Sequence, residues 1–360
     1  MAFRHRSATC IGVCVLLAAP AAAQAKTKTV DMGTPAKASK KFQDVGADVN
    51  DFFLHSVTIR AGDSVKFRPL GFHTADLPPR GGGGVPLIVP NGQKVANSLD
   101  AANAAFWFNG QDQVGFNSEL LASGFGKRFT YNGSKRVNTG LPLAAAPKPM
   151  TVKFPKKGKY TYVCDVHPGM EGQVVVKGKR ARIPTAKQDK RRLKNQIATA
   201  LKRAKKLPST TPPANTVYTG GSAKGGVEYF GMLPATLTVK AGTSVTFAMS
   251  PRSFEVHTAT FGPGDPGADP NSYLGQIAAT FEGAPVIDAR GVYPSEMPGT
   301  TATFTSALHG NGFWNSGVLD QASETPQIPA SNVVRFGAAG TYDFYCVIHP
   351  FMHGRVVVTP

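Results

Sequence analysis

GKYTYVCDVHPGMEGQVVV, at residues 158–176, and GTYDFYCVIHPFMHGRVVV, at residues 340–358, decide how this chain is read. They are two copies of one pattern. Upstream of them FFLHSVTIRAGDSVKF (52–67) and MLPATLTVKAGTSVTF (232–247) form a second matched pair, and His73-Thr74 matches His257-Thr258. Ala61-Gly62 aligns with Ala241-Gly242 at an offset of 180, and Cys164 aligns with Cys346 at an offset of 182. The internal spacings agree as well, with 164 − 73 = 91 in one copy and 346 − 257 = 89 in the other. A unit of this length is a duplicated domain, not a short solenoid repeat.

Within each copy the apolar period is two. Val57, Ile59, Val65 and Phe67 alternate with polar residues around Ala-Gly-Asp, as do Leu237, Val239, Val245 and Phe247 around Ala-Gly-Thr. Alternation on either side of a glycine turn predicts a β-hairpin with one buried face. Residues 160–163 and 174–176 give two further strands, mirrored by 342–345 and 356–358. The expected fold is all-β: two tandem Greek-key β-sandwiches. Between them, residues 177–206 hold thirteen Lys/Arg against one Asp, a net of 13 − 1 = 12 positive charges. Leu193, Ile197, Leu201 and Ala204 recur at helical spacing there, so residues 185–207 are expected to form a basic amphipathic helix. Pro208, Pro212 and Pro213 stiffen its exit. The expected division is a signal peptide at 1–25, a first domain at 26–178, a linker at 179–214 and a second domain at 215–360.

The composition agrees with a packed protein. Of 360 residues 41% are hydrophobic and 17% charged, which excludes a disordered chain. Arg4, His5 and Arg6 precede a nearly apolar run at 8–19, and Ala-x-Ala follows at 21–23 and 23–25. That is the order of an export signal. The run is shorter than the roughly 20 apolar residues that span a bilayer, so cleavage is expected and no transmembrane span. The protein is expected outside the cytoplasm, in the periplasm, at the cell surface or extracellular. Cys10 and Cys14 leave with the signal, and the mature chain keeps Cys164 and Cys346.

Each repeat ends in Cys-x2-His-x2-Met on a loop between two strands. The sets are Cys164, His167 and Met170, and Cys346, His349 and Met352, with His73 or His257 upstream. Two imidazoles, a thiolate and a weak thioether are the ligands of a blue-copper centre. Copper there cycles between two oxidation states with little change in geometry, which suits electron transfer. A buried Cys, a gap-filling Met and an idle His are each commonplace. Their coincidence at matched spacing, twice in one chain, is not. The same coincidence gives each cysteine its own partners, against a disulfide between them.

On these motifs the chain resembles the plastocyanin/azurin family of cupredoxins, and CVIHPFM is similar to the loop of amicyanin. The resemblance covers residues 30–177 and 217–360. It implies one type 1 copper on His73, Cys164, His167 and Met170, and a second on His257, Cys346, His349 and Met352. It also implies electron exchange with redox partner proteins at the edges near His167 and His349. The long inserts between His and Cys depart from a minimal cupredoxin. They carry Trp107 and Trp314, taken as core or lid residues, and four glycines at 81–84, taken as a flexible loop.

Cupredoxin domains also build copper enzymes. A trinuclear oxidase cluster takes His-x-His pairs, and the chain has none. A nitrite-reductase-like site needs a histidine just before the blue-copper Cys, where Val163 and Tyr345 stand. His55, His309 and His353 are expected to be bystanders, and no catalytic residue is assigned. An electron carrier is therefore expected; a two-domain copper enzyme or a copper storage or delivery protein stays as the alternative. The basic linker is a solvated face or a dock for an anionic surface or an acidic partner. Nucleic acid is not expected after export, despite a net charge of +18.

Overall fold

The short apolar alternations become strands, and the strands stack into two sandwiches. The computed structural model describes residues 25–321 and 329–360, so the predicted signal peptide, with Cys10 and Cys14, lies outside the described residues but for position 25. In the first sandwich one sheet runs, in spatial order, Phe52–Phe53, Thr27–Met32, Ser64–Pro69, Met150–Lys153 and Arg128–Thr130. The other runs Val137–Asn138, Asp76–Leu77, Gly158–Val163, Glu171–Lys177 and Ser56–Arg60. The second sandwich repeats the plan. Thr303–Phe304, Ser331–Phe336, Ser244–Ala248, Thr216–Ala223 and Val227–Leu233 make one sheet, and Thr236–Lys240, His353–Thr359, Gly340–Tyr345, Thr260–Phe261 and Trp314–Asn315 the other.

Both cores lie between the sheets. Val57, Ile59, Val65 and Phe67 are all buried in the first, and Tyr162 meets Phe52 and Phe67 edge-on at 4.7 and 5.0 Å. Such aromatic pairs add about 0.5–1.5 kcal/mol beyond the area they bury. Phe247, Phe261, Trp314 and Phe344 do the same in the second core, which places Trp314 as a core residue.

The expected hairpins are corrected. Ser56–Arg60 pairs with Glu171–Lys177, whereas Ser64–Pro69 pairs with Thr27–Met32 and Met150–Lys153 in the facing sheet. Thr236–Lys240 and Ser244–Ala248 are split between sheets in the same way. The glycine turn thus arches over the core edge. Alternation reports which face is buried and not which strand lies alongside, so arch and hairpin share one sequence pattern.

The two halves interlock. Ala47–Val49, from the first half, adds an antiparallel strand to Val227–Leu233 of the second. The linker helix, Ala186–Ala204, starts at a capping box made by Thr185 and Gln188. It buries Ala200 and Ala204 and half-buries Leu193, Ile197 and Leu201 against Phe42, Phe53 and Val227. The predicted helix is therefore a packed brace and not a free spacer. The first insert lays Val95, Phe106 and Phe108 against Leu274, Ile277, Phe313 and Val347, and Trp107 Nε1 donates to the Pro294 carbonyl at 2.8 Å. Among the described residues no helix is long and apolar enough to cross a membrane.

Candidate metal centres

Each site is assembled where a strand ends. Cys164 follows Gly158–Val163, and the loop after it closes through Cys164 N–H to the Met170 carbonyl (2.9 Å) and Met170 N–H to the His167 carbonyl (2.9 Å). The second loop closes alike, from Cys346 to Met352 at 3.1 Å and from Met352 to His349 at 2.8 Å. His73 and His257 come from the neighbouring segment, whose next residue caps the sulfur. Thr74 N–H donates to Cys164 Sγ and Thr258 N–H to Cys346 Sγ, both at 3.4 Å.

In the first site His73 Nδ1 and His167 Nδ1 are 3.0 Å apart, and Cys164 Sγ lies 4.0 and 3.6 Å from them. In the second His257 Nδ1 and His349 Nδ1 are 3.2 Å apart, and Cys346 Sγ is 3.7 Å from each. Both histidines of a pair thus turn Nδ1 inward, and three donor atoms surround one point. Met170 and Met352 are buried in the same clusters as the cysteines. Glycine backbone passes close to the upstream histidines: a Cβ on Gly33 would sit 2.7 Å from the His73 ring, and one on Gly220 2.8 Å from His257 Nε2.

The electrostatics suit a cation. Burial alone would raise the Cys164 thiol, but hydrogen bonds with His167 and His73 outweigh it and hold the group at about 5. Burial likewise opposes ionisation of Cys346, and His257 and His349 hold it well below the usual thiol value. The thiolate is the metal-binding form. Two imidazoles facing a thiolate in a buried pocket are a soft donor set that fits copper.

Six of the eight sequence-predicted residues make up these two groups, and Met170 and Met352 are buried at the ends of the same loops. His55, His309 and His353 stand apart from them: His55 Nδ1 contacts Asp51 at 3.0 Å, His309 lies between Asp100 (3.0 Å) and Glu296 (2.8 Å), and His353 stacks near Tyr345. Among the described residues the sets that could hold a metal are the two His-Cys-His groups.

The expected open edge at His167 is corrected. His167 is buried by the second half, and its Nε2 meets Glu255 Oε2 at 3.0 Å. Glu255 Oε1 lies 3.6 Å from His349 Nε2. One buried carboxylate therefore faces the outer nitrogens of both loop histidines. Asn50 Nδ2 donates to the same Glu255 Oε2 at 3.0 Å. Against the cost of burial, His167 holds Glu255 well below the usual carboxylate range. Burial would lower His167, but Glu255 and Cys164 push it up to about 10. Behind Glu255, Glu228 accepts from Phe254 N–H (2.8 Å) and Ser253 Oγ (3.1 Å), fixing the turn, and burial pushes it up to about 8. A signal for Glu255 exists in the sequence. It sits two residues before His257, where the first copy has Gly71 before His73.

Copper binding proteins of the plastocyanin/azurin family match this chain over residues 93–177, which end with the first ligand loop. Residues 93–177 thus carry a stretch of cupredoxin-family sequence. Amicyanin-alpha of Methylorubrum extorquens is 43% identical over 61 residues, which are 16% of this chain and 51% of that protein. The match thus spans about half the length of the relative. Among solved structures, a mutant fern plastocyanin is 19% identical, with 40% of this chain and 99% of that one covered at a TM-score of 0.21. Auracyanin A of Chloroflexus aurantiacus, described as a "blue" copper protein, is 18% identical, covering 40% and 96% at a TM-score of 0.24. The fold assignment here rests on the sheet order itself.

Proposed function

We propose that this chain is an exported electron-transfer protein with two type 1 coppers. One is held by His73, Cys164, His167 and Met170 and the other by His257, Cys346, His349 and Met352. The observation that carries this is the convergence, in both halves, of two inward Nδ1 atoms and a lowered-pKa sulfur around one buried point. Copper bound there supplies a one-electron couple. The chain's own residues hold the imidazoles, keep the sulfur as thiolate and exclude water, so the donor set is fixed before metal arrives. Residues 26–178 and 215–360 are the two domains, the linker 179–214 braces them, and 1–25 is a cleaved signal. Electrons reach outside partners through the second site, because His349 keeps 18% of its side chain exposed against 6% for His167. Metal analysis with a visible spectrum tests this. Two coppers per chain and an intense thiolate-to-copper band are expected, and Cys164→Ser or Cys346→Ser should each remove about half of the band, since each thiolate is its own chromophore. A third copper per chain with turnover of nitrite or oxygen would instead favour an enzyme.

A further inference from the structure

The mutual facing of His167 and His349 across Glu255 is not a feature of either half alone. A ring that gives Nδ1 to the metal side points Nε2 away from it, and these outward nitrogens in the two halves meet the two oxygens of one carboxylate. Among the described residues the ion-pair partners of Glu255 are these two histidines, and its remaining side-chain hydrogen bond comes from Asn50. The carboxylate is itself buried, so water does not share its charge. Its position is built in. Glu228 pins the preceding turn, and Phe254 seats on Gly169, where a Cβ would lie 2.6 Å from the ring. An outer partner of a metal-bound imidazole orients the ring and raises its basicity. Here one side chain does so for two sites.

We infer that Glu255 joins the two metal sites into one electron-exchange unit, which deepens the two-site function proposed above and rests on it. A connection between the sites runs through the His167 ring, the Nε2···Oε2 contact, the carboxylate, the Oε1···Nε2 contact and the His349 ring. One electron leaves the reduced site and enters the oxidised one, and no proton or further reactant is needed. Glu255 is a positioning residue: it touches the ligands and not the metal. Its negative charge also favours the more positive, oxidised state at both sites.

The test is made on full-length, copper-loaded chain. A substoichiometric pulse of a small one-electron reductant should be followed by a redistribution of colour between the sites, at a rate independent of protein concentration. Glu255→Gln keeps the shape and removes the charge. It should slow that phase at least about tenfold, the low end of what loss of such a partner costs. It should also raise both reduction potentials, each by about 59 mV for a tenfold change in a one-electron equilibrium. A Gln variant that holds two coppers with both rate and potentials unchanged, or with one potential moved and the other not, overturns the inference while leaving the two sites standing. If the variant does not fold, the wild type decides. A concentration-independent phase supports the unit, and its absence from a chain with two coppers overturns it. A wild-type chain with fewer than two coppers overturns both the inference and the function on which it rests.

Discussion

The two ligand loops are near-copies that live in different surroundings. After Cys164 comes Asp165, buried and held by Thr74 Oγ1 (3.0 Å), Asn138 Nδ2 (2.8 Å) and Val85 N–H (2.9 Å). After Cys346 comes Val347, wholly buried against Phe106, Phe108 and Phe313 of the inserts. Two residues after the loop histidine, Gly169 makes room for Phe254 of the other half, whereas Phe351 stands 69% exposed beside Phe230 and His349. The first site is turned inward, with the second half as its neighbour, and the second keeps an apolar rim to the outside. A duplicated domain has specialised by becoming the partner of its own copy.

Giving the first loop the second loop's residue should produce the largest effect. Gly169 has φ of +97°, so Gly169→Phe costs about 1–2 kcal/mol for the backbone and about 1–3 kcal/mol for overpacking against Phe254. Denaturant unfolding should show a loss of about 2–5 kcal/mol. The reciprocal Phe351→Gly, at an exposed position, should change stability by less than about 1 kcal/mol. Equal effects from the two exchanges would mean that the halves do not seat as described.

Much of this was legible beforehand because it is local. Period-two alternation found the buried faces, and Cys-x2-His-x2-Met found both loops, since three candidate ligands lie within seven residues. The helix at 185–207 was legible from its spacing, and the structure places it at Ala186–Ala204. What was missed is non-local. The Ala-Gly turns arch between sheets, Ala47–Val49 completes the other half's sheet, and Glu255 reaches His167 across the junction. The open edge expected at His167 failed for the same reason, because a repeat pattern describes one copy at a time. The glycines at 81–84 read in sequence as a flexible loop, yet a Cβ on Gly84 would lie 2.9 Å from Asp165 Oδ1, so its backbone closes on the first site.

The comparison also orders the potentials, with the first site lower. Asp165 is buried near its sulfur, and Glu255 is closer to His167 than to His349. A carboxylate about 10 Å from the metal, at an effective dielectric near 20, favours the oxidised state by roughly 1.7 kcal/mol, or around 70 mV. Lys156, Lys157 and Lys159 oppose it weakly. Lys159 is five residues along the strand from Cys164, roughly 16 Å at about 3.3 Å per residue, and all three are exposed. Asp165→Asn should therefore raise the first potential by tens of millivolts and leave the second alone. Potentiometric titration of the Cys346→Ser and Cys164→Ser backgrounds isolates each site. A first potential at or above the second in the unsubstituted loops would reverse the ordering.

The smallest effect is expected at His309, which stitches the inserts of the two halves. Its Nδ1 meets Asp100 of the first insert and its Nε2 meets Glu296, while Phe106 and Phe313 pack on the ring. Burial would lower its pKa, but the hydrogen bonds with Glu296 and Asp100 outweigh this and raise it. Asp100 is in turn lowered, against its own burial, by the hydrogen bond with His309. A raised folded-state value means that the stabilisation is fully present below the unfolded value, about 6.5, and is lost as pH rises through the higher folded value. Ion pairs of this kind contribute about 1 kcal/mol or less, which is about 1–2 degrees in Tm for a chain of this size. Other groups also titrate here, Glu228 and His55 among them, so the informative quantity is a difference. The Tm of copper-loaded wild type minus that of His309→Gln should be positive below about pH 6.5 and shrink as pH rises above it. Copper loading removes the site histidines from the titration, since a metal-bound ring nitrogen does not protonate in that range. A difference that stays constant or grows with pH would show that His309 holds the inserts as a neutral hydrogen-bonding ring. The junction would then be equally firm on both sides of neutrality.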